Sequence, residues 1–201
     1  GYHLEISEAD YDGAAEAYRE ALKLAQEVGD LPSQVELHAS LGQLAAEQAD
    51  WEEVERATEA SGGLAEREGL HGKLCFPFLL RGVLAWRLGN WDESTKLFRR
   101  AHELGEQVGR SEVAFSALQW LAWNLRESGD LSGAETELAK ALDICERAGL
   151  IAQSVEAIAM RAVVLALADR IDQAQAAAEE AERLAGRLHY PVGEAAKAEA
   201  A

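Results

Sequence analysis

Cysteine is nearly absent from this chain. Cys75 and Cys145 are too few for a disulfide framework, and both lie in apolar stretches where a thiol serves as a small hydrophobe. A reduced, cytoplasmic setting is therefore expected. Proline is almost as scarce, at 3 residues in 201, so little interrupts long helices. No apolar run approaches the ~18 residues that span a bilayer, and no membrane partner is expected. Basic residues are outnumbered, 19 Lys and Arg against 36 Asp and Glu. The resulting charge of −17 argues against nucleic acid as a partner of this segment, because phosphate binding needs a basic surface.

Catalytic constellations are missing as well. The histidines, at 3, 38, 71, 102 and 189, never fall three or four apart, so no helical pair of metal ligands arises. The stretch G-L-H-G-K, 69–73, has Arg67 where a phosphate-binding loop needs glycine and Leu74 where it needs Ser or Thr. Neither G-x-S-x-G nor G-x-G-x-x-G occurs. Glutamates such as Glu52, Glu53, Glu55 and Glu59 read as a solvated helix face. The expectation is a protein that is not an enzyme and holds no cofactor or metal.

What is there is a repeat. Gly29, Gly69, Gly109 and Gly149 are evenly spaced, and so are Tyr11, Trp51, Trp91, Leu131 and Ile171, each preceded by Asp10, Asp50, Asn90, Asp130 and Arg170. Two columns sharing one spacing define an internal repeat, the signature of a stacked array. Leu131, Ala134, Leu138, Ala141 and Ile144 recur at helical intervals with Glu135, Glu137 and Lys140 off that face. A glycine tolerant of positive φ then ends the helix, and a second amphipathic run such as 113–128 begins. Each unit is thus a pair of helices. Trp51 and Trp91 open the second helix of a pair and pack the turn.

These units resemble tetratricopeptide repeats. The likeness rests on Leu118-x2-Leu121-Ala122-x2-Leu125, Gly129-Asp130-Leu131, Ala134-x3-Leu138 and Ala141, with partial copies at Leu41-Gly42, Gly82, Ala14-x3-Tyr18-x2-Ala21 and Ser94-x3-Phe98-x2-Ala101. It implies an all-α, right-handed superhelical α-solenoid of stacked helix-turn-helix repeats. The expected organisation is one array over 1–201: a partial repeat at 1–30, full repeats at 31–70, 71–110, 111–150 and 151–190, and the start of another at 191–201. On that reading residues 1–10 end the first helix of a preceding unit, and the array continues past both ends. The period exceeds the family's usual ~34 residues. Arg81 and Arg161 replace Leu41 and Leu121, and Gly62-Gly63 with Pro77 are expected to kink the second unit. In style the long units are most similar to those of the MalT-like and LuxR-type bacterial transcriptional regulators, with peptide-pheromone receptors a second match.

In that family first helices line a concave groove. Its columns here hold Glu36, Ala39, Gln43, Ala46 and Glu47; Phe76, Leu79, Val83, Trp86 and Arg87; Ser116, Gln119, Trp123, Arg126 and Glu127, with Trp120 beside them; then Glu156, Ala159, Met160, Val163 and Ala166. Trp86, Trp120 and Trp123 occupy no repeat column. Residues 72–89 hold Lys73, Arg81 and Arg87 without an acid. The candidate partner-binding residues are therefore Phe76, Leu79, Val83, Trp86, Arg87, Gln119, Trp120, Trp123 and Arg126. Two readings stand. In one, aromatic anchors and arginines bind a protein, peptide or small effector, as the sensor of a larger signalling or transcription regulator. In the other, the tryptophans are buried between helices, the arginines pair with glutamates, and the module self-associates.

Overall fold

The computed structural model describes residues 11–188. Among them are nine α-helices, with consecutive helices packed antiparallel within each unit: α1 (Tyr11–Glu27), α2 (Leu31–Glu47), α3 (Trp51–Arg67), α4 (Cys75–Arg87), α5 (Trp91–Gln107), α6 (Ser111–Glu127), α7 (Leu131–Ala148), α8 (Ile151–Leu167) and α9 (Ile171–Leu188). One 3-10 turn, His71–Lys73, precedes α4. The chain divides between Val108 and Gly109 into two compact units. Expectations placed on residues 1–10 and 189–201 lie outside the described residues.

The Gly-Asp dipeptide explains why the connections are so short. At the end of α6, Gly129 takes φ +84°, and the Asp130 N–H reaches back to the Leu125 carbonyl at 2.8 Å. That closes the last turn with the left-handed residue such a motif requires. The same Asp130 then starts α7, its carboxylate accepting from the Gly133 N–H at 2.9 Å. Asp50 does both jobs between α2 and α3, accepting from Glu53 N–H at 3.2 Å. Asp30 likewise caps α2 through Ser33. Hydrogen bonds from the Ser33 hydroxyl and then its N–H hold the Asp30 carboxyl below its ordinary pKa. Two connections use another residue in the left-handed position: Ala49 at φ 56° and Asp169 at φ 58°.

In the first unit, Val35, Leu44, Val54, Ala57, Cys75, Leu80, Phe98 and Ala101 form the core. Helices approach closest where a side chain is absent. A methyl on Gly82 of α4 would lie 2.5 Å from the Phe98 ring of α5, and Phe98 is fully buried. Gly62 of α3 leaves room for the Arg81 guanidinium, which would stand 2.7 Å from a Cβ there and pairs with Glu66 at 3.4 Å. α3 runs unbroken through Gly62 and Gly63, and Pro77 is the third residue of α4. In that first turn a backbone N–H would have no helical acceptor, so proline removes nothing. The accommodation falls upstream, where the 3-10 turn replaces the first turn of helix found in α2.

The second unit has two contiguous cores. Ala114, Phe115, Leu118, Ala122, Leu138, Ala141 and Ile144 interlock between α6 and α7. Val155, Ile158, Leu165, Ala174, Ala177 and Ala181 do so between α8 and α9. Here Ala122 and Leu138 stand at the places that Gly82 and Phe98 hold in the first unit, trading a larger crossing residue for a smaller partner. Both cysteines are buried and neither forms a disulfide. Burial, with the nearby Glu156 charge, pushes the Cys145 thiol up to about 11. Among the described residues no helix is long and apolar enough to cross a membrane.

Candidate functional site

The candidate residues separate into two patches, one in each unit. In the second unit, α6 presents Trp120, Trp123 and Arg126 at intervals of three, which places them along one face of the helix. The two indoles stack, with ring centroids 5.6 Å apart and planes inclined by 21°. The Arg126 guanidinium continues the column, 5.0 Å from the Trp123 ring, and is held by Glu127 at 2.6 Å. A cation over an indole is attracted by the ring's negative face, so the ladder is ordered by its own members. All three side chains are partly buried, and the rings of the column are not entombed. Gln119, one residue away, donates to Glu156 of α8 at 3.4 Å and ties the two first helices together.

The first unit differs from expectation. Leu79 and Val83 are 8% and 4% exposed, so these two expected lining residues belong to the core. Both are large aliphatic side chains of α4, a helix packed against α3 and α5 as well as α2. Ala39, at the place equivalent to Leu79, is buried too. Phe76 and Trp86 remain partly buried. Lys73, in the turn before α4, pairs with Glu36 of α2 at 2.5 Å, so one of the three cations in 72–89 is neutralised, as Arg81 is by Glu66.

Trp86 packs edge-to-face on Trp91, with centroids 6.4 Å apart and planes at 73°. That places it at the α4–α5 turn, against the very tryptophan that belongs to the repeat column. Arg87 follows it there, its guanidinium 4.2 Å from the centroid of the Trp51 ring at the start of α3. The repeat pattern accounts for Trp51 and Trp91 as turn-packing residues. They also complete this aromatic edge, and Trp91 keeps 42% of its surface exposed. The sequence holds a signal for the polar ties between first helices: Glu36 with Lys73 and Gln119 with Glu156 are each 37 residues apart, three short of the repeat spacing.

Comparison with known proteins bears on the architecture. The family model described as tetratricopeptide repeat matches residues 77–147. None of the curated proteins compared with the chain matches it. Among solved structures, aspartyl phosphate phosphatase F from Bacillus subtilis is similar over 95% of this chain and 50% of its own, at 11% identity and a TM-score of 0.75. The chain thus spans about half the length of that protein. BtubC (BKLC) from P. vanneervenii is similar over 90% of this chain and 75% of its own, at 16% identity and a TM-score of 0.67. The described residues therefore have a tetratricopeptide-like fold of antiparallel helix pairs, and the repeat's own sequence pattern is matched across α4–α7.

Proposed function

We propose that this chain is a tetratricopeptide-like scaffold that binds a protein partner through the first-helix face of its second unit. The module works within a larger cytoplasmic bacterial signalling or transcription regulator. The carrying observation is the Trp120–Trp123–Arg126 ladder. Tryptophan and arginine dominate binding hot spots because they offer large contact area with few rotatable bonds. Trp123 stands where sister units place Gln43, Val83 and Val163, and the ladder is preordered by mutual stacking, which lowers the entropy lost on binding. The regulator context is supported by the likeness of the long units to those of MalT-like and LuxR-type regulators. No reaction is assigned to these residues.

A photo-crosslinking residue in place of Gln119, within the full-length protein in its host, tests this reading. The same partner band should form from position 119, fade about 10-fold or more when Trp123 is replaced by alanine, and be absent from Glu179 on α9. An equal band from 179, or one indifferent to Trp120→Ala and Trp123→Ala, refutes it. Self-association is the second reading, favoured by Leu24 and Val28, which stand 62% and 77% exposed at the end of α1. A mass by light scattering that stays monomeric over a wide dilution range removes it.

A further inference from the structure

We draw no further inference here: the strongest candidate, the exposed apolar patch that Leu88 and Trp91 make at the α4–α5 turn, is matched by Leu167 and Ile171 at the α8–α9 turn, and nothing in the structure shows what covers either.

Discussion

Replacing Gly82 with alanine sets two effects against each other, and the structure decides between them. In an exposed helix the change would stabilise by about 1 kcal/mol, because alanine loses less backbone freedom. In α4 the new methyl would meet Phe98 Cε1 at 2.5 Å and Cδ1 at 2.6 Å, roughly 1 Å inside ordinary carbon contact. The ring is fully buried, so it must shift against packed neighbours, and overpacking of this kind costs about 1–3 kcal/mol. Gly82→Ala should therefore destabilise the first unit by about 1–2 kcal/mol net. Phe98→Leu alone leaves a void and should cost about 1–2 kcal/mol. The double variant recreates the Ala122–Leu138 pairing of the second unit, so the two losses should cancel in part, with a favourable coupling of about 1–2 kcal/mol. Urea unfolding followed by tryptophan emission measures all four corners of the cycle, with Trp51, Trp86 and Trp91 in the affected unit. A Gly82→Ala protein as stable as the parent, or strictly additive losses, refutes the close-approach reasoning.

Other outcomes follow from the same geometry. Ala49→Gly and Asp169→Gly replace side chains held at φ 56° and 58° and should each stabilise by about 0.5–1 kcal/mol; a lowered urea midpoint contradicts this. Burial holds the His38 pKa below its usual 6.5, so the unfolded chain takes up the proton first and stability falls as pH drops from about 6.5 toward the folded value. His38→Leu should flatten that slope, and an unchanged slope places the titration elsewhere. With its thiol raised to about 11 by burial and then by Glu156, Cys145 is about 100-fold less ionised at pH 8 than a free thiol near 9. Iodoacetamide followed by peptide mass mapping should label it slowly in the folded protein and rapidly in urea; equal rates refute the buried placement.

The turns were the most legible part of the fold. Glycine at positive φ and an aspartate that closes one helix and caps the next are effects of single residues on local backbone, so Gly129-Asp130 could be read directly. Pro77 shows the limit of such reading. Its effect depends on where α4 starts, and the 3-10 turn moves that start to Cys75. Leu79 and Val83 could not be placed from periodicity, because α4 packs against α2, α3 and α5 and spacing along one helix does not say which of its faces the neighbours cover. The pairing of Trp86 with Trp91 and of Arg87 with Trp51 spans a turn or two repeats and depends on side-chain direction, which spacing does not encode. The division at Val108–Gly109 also leaves no local trace, since Gly109 shares the column of Gly69 and Gly149.

The passage of Arg81 over Gly62 carries a consequence for how sequences of this kind can drift. The guanidinium occupies the volume in which any side chain on α3 would begin, so the two positions constrain each other. A relative that acquires a methyl at 62 must give up the long cation at 81, and one that loses the cation gains freedom at 62. The equivalent pair in the second unit, Leu142 and Arg161, has no such vacancy, so its arginine is released from that bargain. Correlated exchange at 62 and 81, without a matching signal at 142 and 161, is the imprint this crossing would leave on an alignment.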